Sequence, residues 1–380
     1  MRQSASSERL WAALGILATA AILLRQAGQR NWSYWLDEAM QVSYVRGSLR
    51  DLWVAVRFDG VHPPLDYLVT WVAYHLGDGR EPVLRLMPSL WMTLAAVLAF
   101  LLSGGVERPA RSLAAGLFLL GTPLGIYLGQ EIRPYALSIL LVTLVATLLE
   151  PVATLTRRRL AWASVASTLA VLTLYLTAVP LAVLWGSVLW HARSRRALFL
   201  ETLLASGLPA ATLGGWLWLV RASIARHEER FPVDLSLSGL GSLANGLLAW
   251  REECPRLLAG AVLPAVLIGL GLFATSRRRS WRQPALLLAT TLGVVVLLAL
   301  AQHWIDVRYL ALALVPCGVL FGEGVDFVLS DHPRTRAALL GLFLALHAPA
   351  YLENLRSARP NWRQVATYLS FQDGVGVRGD

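Results

Sequence analysis

The sequence predicts an all-α integral membrane protein, a polytopic bundle of about 11 transmembrane helices with amphipathic helices lying at the interface in the first outer loop. Three observations predict it. Hydrophobic residues make up 56% of the chain against 15% charged, with a mean hydropathy of +0.53, well outside the balance of a soluble domain. The apolar residues gather in runs that approach or exceed the roughly 20 helical residues needed to cross a hydrocarbon core. Arginine clusters fall on every second link between those runs, the pattern of loops retained on the cytoplasmic side.

The runs are read in order. Residues 10–25 carry a small-residue site, Ala18-Thr19-Ala20, of the kind that ends a secretory signal. Apolar Ala21-Ile22-Leu23-Leu24 follows at once, so this run reads as an uncleaved first helix. Spans at 86–104, 112–129 and 134–150 come next, and Gly121, Gly125 and Gly129 repeat at four-residue intervals on the third, a spacing that permits close helix contact. The stretch 160–191 only just holds two tilted helices, 160–175 and 177–191, with Pro180 near the start of the second. Spans at 197–220, 257–275, 284–302, 309–328 and 335–352 complete a transmembrane domain over 1–352, and a short outer tail occupies 353–380.

Every one of the 34 basic residues is Arg. With the N-terminus cytoplasmic, the inner links hold Arg108 and Arg111, then Arg157-Arg158-Arg159, then Arg193, Arg195 and Arg196, then Arg277-Arg278-Arg279 with Arg282, and last Arg334 and Arg336. The opposite, extracytoplasmic side receives the loops 26–85 and 221–256 and the tail, so the termini lie on opposite faces. The location expected of this multi-pass arrangement is the cell inner (plasma) membrane. A net charge of +10 spread over short loops suits anionic headgroups and orientation, not nucleic acid. Cys254 falls in a loop and Cys317 inside a span, which argues against a disulfide between them.

Loop 26–85 is the outer loop with chemistry in it. Trp32, Trp35, Tyr44, Trp53, Phe58, Tyr67, Trp71 and Tyr74 alternate with charges at helical spacing, as in helices lying in the interface plane. A plain aromatic belt leaves two features unexplained: the adjacent carboxylates Asp37 and Glu38, and His62 in a His-Pro-Pro turn. Ionisable groups near lipid are costly and usually functional. Acid–base chemistry on an anionic substrate at a membrane surface needs a base and cations for the anion. A carboxylate at the boundary serves the first need, and Arg, with its planar fork, the second. Arg133 and Arg308 sit at outer ends of spans, where a lipid phosphate lies, although snorkelling to headgroups is the plainer reading of each.

Several motifs recur in a fixed order. Trp35-Leu36-Asp37-Glu38 is followed by His62-Pro63-Pro64-Leu65, then Gln130-Glu131-Ile132-Arg133-Pro134-Tyr135 at the outer end of the third span. Arg308-Tyr309-Leu310 with Pro316 comes late, and Asn361-Trp362-Arg363 lies within the tail. In order and in common outer placement this resembles the polyprenyl-phosphate-dependent glycosyltransferases of the GT-C fold, a group that includes protein O-mannosyltransferases and lipid A aminoarabinose transferases. The resemblance covers essentially the whole chain. Two departures mark it: Leu174-Tyr175-Leu176-Thr177 stands where many relatives carry a Tyr-Thr-His-Tyr-like segment, and many relatives continue into a further soluble domain.

The resemblance implies an inverting membrane glycosyltransferase that takes a sugar from a polyprenyl-phosphate donor, with a glycan, lipid or protein as acceptor. It implies Asp37 as the catalytic base, and a single base with in-line displacement inverts the sugar. Glu38 is expected to orient the loop or to raise its neighbour's pKa by like-charge repulsion, while the competing reading of Asp37 is a cap on an interfacial helix. The donor phosphate and substrate fall to His62, Arg133, Tyr135, Arg308, Tyr309 and Glu131. A structural residue of its turn is the competing reading of His62. Glu131 is open to pairing with Arg133 or to a divalent metal, though no His/Asp/Glu cluster has ligand spacing. Glu201, Glu323 and Asp326 fall toward the cytoplasmic ends and read as paired or snorkelling. Arg226-His227-Glu228-Glu229-Arg230 and Trp250-Arg251-Glu252-Glu253, in the second outer loop, read equally as cover for an acceptor channel or as a solvated loop. The rival is a transporter or flippase for a lipid-linked sugar, in which Glu323 would carry a proton. A non-catalytic scaffold would not gather its ionisable groups on one face.

Overall fold

The chain folds into helices alone. The structure is a computed structural model that describes residues 15, 18–26, 34–225, 256–277, 287–293, 307–328 and 332–356, and no strand occurs among them. A helix at 18–26 (α1) leads to three short helices, α2 (Leu36–Val45), α3 (Leu49–Asp59) and α4 (Pro64–Leu76). The bundle follows as α5 (Glu81–Leu102), α6 (Pro109–Gly121), α7 (Pro123–Leu128), α8 (Tyr135–Leu149), α9 (Arg157–Val171), α10 (Ala178–Ala192) and α11 (Arg196–Ile224). It closes with α12 (Arg256–Arg277), a 3₁₀ stretch (Val307–Ala313) running into α13 (Leu314–Val328), and α14 (Pro333–Arg356).

The segment from Leu36 to Leu76 is helical because its punctuation is right. Ser48 caps α3: its hydroxyl accepts from the Asp51 amide at 3.3 Å, and the Asp51 carboxylate accepts from the Ser48 amide at 3.0 Å, a reciprocal capping box. Gly60 ends the helix with φ 64°, a left-handed conformation that costs other residues energy, and its missing Cβ leaves room for Ser223 of α11. Pro64 opens α4 at the position where a missing amide is no loss. The Leu65 amide then donates to the Leu172 carbonyl at 2.8 Å, tying this turn to the end of α9. One face of α2–α4 buries Val45, Leu52, Val56 and Tyr67 against Trp216 and Val220 of α11. The other face leaves Val54 and Phe58 largely exposed, as expected of helices at an interface.

Beneath this layer α5, α6, α8 and α13 form the main core, around Met92, Phe118, Ile139 and Phe321. Among the four described helices able to cross a membrane, the one that ends in α13 is the most buried, and glycine makes that possible. A Cβ on Gly318 or Gly322 would strike α6 at Leu119 or at the Arg111 carbonyl, and one on Gly324 would strike the Leu267 carbonyl of α12. Small residues let helix backbones approach this closely. The glycines of the third span behave differently. Gly121 does face Phe343 and Leu344 of α14, but Pro123 breaks the span after Thr122, whose hydroxyl caps the short α7. Gly125 lies in that break, and Gly129 lies against Arg25.

Helices stand at or beside the places where the sequence predicts spans. By length and composition, four among the described residues can cross a membrane: Glu81–Leu102, Tyr175–Ala192, Arg196–Ile224 and Arg308–Val328. Pro109–Gly121, Tyr135–Leu149 and Ala261–Ser276 are shorter apolar helices. The charged motifs of the loop 221–256, Cys254, and the Asn361-Trp362-Arg363 segment lie outside the described residues. Cys317 is buried as a free thiol.

Candidate active site

Four segments distant in sequence meet at the outer-loop end of the bundle: the start of α2, the His62 turn, the bend at 129–134 between α7 and α8, and the 3₁₀ stretch at Arg308. Two carboxylates adjacent in the chain go opposite ways, because successive side chains on a helix point about 100° apart. Glu38 is wholly buried. Arg85 of α5 donates to both its oxygens, at 2.7 and 3.0 Å, and the Ile132 amide adds a third hydrogen bond at 3.0 Å. Glu38 also accepts from the Trp35 amide at 3.3 Å, so Glu38, not Asp37, caps α2. Arg85 in turn donates to Glu81 at 2.9 Å and to the Gln130 carbonyl at 2.9 Å. Glu38 therefore ties α2, α5 and the bend into one unit, and its charge is matched within that unit.

Asp37 keeps 28% of its side chain exposed. Its Oδ2 accepts from Arg308 Nη1 at 3.1 Å, with Arg133 Nη2 at 3.9 Å, and its carbonyl accepts from Arg133 Nη1 at 3.4 Å. The same Arg308 nitrogen donates to Glu131 at 3.1 Å, so one guanidinium bridges two carboxylates. Trp35 lies 4.5 Å from that guanidinium and Tyr135 5.8 Å, two aromatic faces that hold a cation in place. Tyr127 donates to Glu131 at 3.4 Å. Tyr309, half-buried, packs against the main core.

Arg133 also donates to Nε2 of His62. Because a guanidinium only donates, that nitrogen is unprotonated and the His62 proton is on Nδ1. Burial, then the charges of Arg133 and Arg308, push the His62 imidazole well below its ordinary pKa, so it is neutral. Its Nδ1 is buried without a hydrogen-bond partner. A second buried carboxyl, Asp66, lies on α4 and accepts from Gln41 at 2.6 Å; burial lifts it to about 6. Asp59 braces the loop from behind, accepting from Tyr67 at 3.2 Å and Tyr44 at 3.3 Å. Tyr175 donates to the Gly60 carbonyl at 3.0 Å and accepts from Trp216 at 3.0 Å, so the residue in the departing Leu174–Thr177 segment pins the same loop.

The structure thus brings Asp37, Glu38, His62, Glu131, Arg133, Tyr135 and Arg308 together. Sequence reasoning missed Arg85, Asp66, Gln41 and Trp35 as part of the site. A Glu81…Arg85 pair one helical turn apart at a span entrance is the signal for the first. Among the described residues no group of three or more His, Cys, Asp or Glu gathers as a metal site. What the arrangement offers chemically is one partly exposed carboxylate flanked by two arginines, backed by aromatic rings and closed below by a fully matched ion pair.

No family model and no curated protein matches the chain. Among solved structures it is similar to ArnT from Cupriavidus metallidurans in the apo state, with a TM-score of 0.60, 19% identity, and coverage of 86% of this chain and 62% of that one. Against ArnT bound to undecaprenyl phosphate the values are 0.60, 18%, 87% and 63%. Archaeal oligosaccharyltransferase AglB from Archaeoglobus fulgidus, in complex with an inhibitory peptide and a dolichol-phosphate, gives 0.52, 12%, 93% and 56%. The chain therefore spans under two thirds of the length of these proteins. At such identities the likeness establishes architecture: the chain has the GT-C fold that ArnT and AglB share.

Proposed function

We propose that this chain is an inverting membrane glycosyltransferase that moves a sugar from a polyprenyl-phosphate donor to an acceptor hydroxyl on the extracytoplasmic side. One observation carries the reading: Asp37 is the exposed carboxylate of its pair and stands against Arg308 and Arg133, both side chains largely buried. A base beside two fixed cations is what this transfer requires. The acceptor oxygen loses its proton to Asp37 as it attacks the anomeric carbon; the bond to the phosphate oxygen breaks, and the charge left on the polyprenyl phosphate is taken up by Arg133 and Arg308. An incoming phosphate competes with Asp37 and Glu131 for Arg308, and so frees the Asp37 carboxylate for the acceptor. Glu38 acts as a positioning residue through Arg85, and neutral His62 fixes Arg133. Tyr135 and Tyr309 belong to the donor side of the same site, one ring beside Arg308 and the other next to it in sequence.

The fold shared with ArnT bound to undecaprenyl phosphate and AglB with a dolichol-phosphate supports a polyprenyl-phosphate donor. The membrane arrangement in this reading has eleven spans, a cytoplasmic N-terminus and an inner-membrane location. The transporter reading loses its main support, because Glu323 is held by Arg111 at 2.7 Å. Purified protein given a sugar-loaded polyprenyl phosphate should release free polyprenyl phosphate when an acceptor is present, and a deletion strain should lack one sugar from an envelope glycan or glycolipid by mass spectrometry. Transbilayer movement of an intact donor, with no cleavage, would establish the transporter instead.

A further inference from the structure

Three elements that carry the candidate active site carry a second polar group at their far ends. α5 carries Arg85 beside Glu38 in its second turn and ends at Leu102, followed by Ser103, about 25 Å further along its axis. α8 starts at Tyr135 and leads to Thr147 and Glu150, and the helical stretch that starts at Arg308 reaches Glu323. With Arg108 and Arg111 at the start of α6, these far ends line a cavity of about 590 Å³. An engineered void of about 150 Å³ is already large for a packing defect, and ligand pockets span roughly 300–1,000 Å³.

The walls of the cavity are mixed, and Arg108, Arg111, Glu150 and Glu323 carry its charges. Leu101, Leu184, Val315 and Val319 form an apolar side. Arg111 is matched by Glu323 at 2.7 Å, and Glu150 is faced by Arg159 and His191. The Arg108 guanidinium has no hydrogen bond or ion pair among the described residues and stands exposed at the rim. Ser103 is wholly buried and lines the cavity, yet its hydroxyl has no hydrogen-bond partner. Buried hydroxyls are nearly always hydrogen-bonded, so an orphaned one marks the place of an absent partner. The Gly104–Gly105 turn, with φ 113° and 57°, folds the chain back and carries Ser103 and Arg108 to the same cavity. What is left over is one cation and one hydroxyl donor beside an apolar wall.

We propose that this cavity binds the phosphate headgroup of an anionic lipid, with Arg108 and Ser103 on the phosphate and the lipid chain along the apolar wall. The site is separate from the candidate active site; only the second, Arg308 equivalent in the test below rests on the glycosyltransferase reading. Ser103 is buried without a partner and Arg108 is exposed, so neither Ser103→Ala nor Arg108→Gln threatens the fold. Full-length protein in a non-ionic detergent is titrated with short-chain phosphatidic acid, and bound lipid is counted by native mass spectrometry. Phosphatidylcholine of the same chains and inorganic phosphate serve as comparison probes. Two saturable equivalents of phosphatidic acid are expected. Arg108→Gln should weaken one of them tenfold to a hundredfold, the worth of a charge-assisted hydrogen bond, and Ser103→Ala should weaken the same one several-fold. Arg308→Ala should weaken only the other. If millimolar inorganic phosphate displaces the lipid from the Arg108 equivalent, the occupant is free phosphate and the lipid assignment is overturned. If both Arg108→Gln and Ser103→Ala leave both equivalents unchanged, the cavity is no phosphate site.

Discussion

Replacing Glu38 with Gln keeps the shape of the side chain and removes one charge from a place water does not reach. Arg85, wholly buried, then loses the carboxylate that meets it at 2.7 and 3.0 Å, and the Gln amide must present an N–H₂ where the Arg85 fork or the Ile132 and Trp35 amides expect an acceptor. Leaving one member of a buried pair uncompensated costs about 3–5 kcal/mol. Glu81 remains on Arg85 at 2.9 Å and keeps part of the balance, which sets the expectation at the lower end, about 3 kcal/mol. At roughly 2–4 °C per kcal/mol, the detergent-solubilised protein should melt about 6–12 °C lower. The assay is intrinsic Trp fluorescence on heating, with turnover measured well below the lower melting point. Glu38→Gln should lose melting temperature first and turnover only in proportion to misplacement of the loop. A variant that melts like the parent yet has lost all turnover would refute this, because Glu38 would then be acting in the chemistry itself.

Three more expectations follow from the geometry. Arg133→Lys should weaken binding of a polyprenyl phosphate about tenfold or more in detergent, because one ammonium cannot span His62 Nε2 and the Asp37 carbonyl as the fork does. Unchanged affinity would move the phosphate site elsewhere. Asp66 is raised by burial from its usual value to about 6, so its protonated form is the one the fold favours. Stability from this group is fully present below about pH 4 and is lost as pH rises through about 6, by at most about 3 kcal/mol for two units. Asp66→Asn should therefore flatten the melting temperature between pH 4 and 7 and raise it at pH 8, and an unaltered pH profile would show that Asp66 does not titrate there. Single cysteines at Val54 and Phe58 should react with an impermeant maleimide from outside the cell and those near Arg158 should not; reaction of both from one side would overturn the topology.

Much of the site was legible because its chemistry was local in the sequence. Arg133 and Arg308 each stand just outside an apolar run, and Asp37 and His62 lie in the loop between the first two runs; a charge kept near lipid costs energy that a function explains. The outer helices were legible too, since Ser48…Asp51 and Pro63-Pro64 announce their own caps. The difference between Asp37 and Glu38 was not legible. It depends on Arg85, 47 positions away, and on the turn of a helix, neither of which adjacency of two carboxylates discloses. The break at Thr122–Pro123 was hidden because Pro123 sits inside an apolar run that reads as one span, and only the cap formed by the Thr122 hydroxyl separates the two helices. The glycine seam likewise moved to α13, where Gly318, Gly322 and Gly324 face two different neighbours.

The central claim is that Asp37 is the base and Arg133 and Arg308 the phosphate site. The most direct measurement is single-turnover cleavage of a radiolabelled polyprenyl-phosphate sugar by Asp37→Asn, with donor affinity and melting temperature measured on the same preparation. The account predicts a rate lower by about 10²–10⁴-fold, the usual worth of a general base, with melting temperature close to the parent and donor still bound. Near-normal turnover by Asp37→Asn, with donor bound as before, would contradict it.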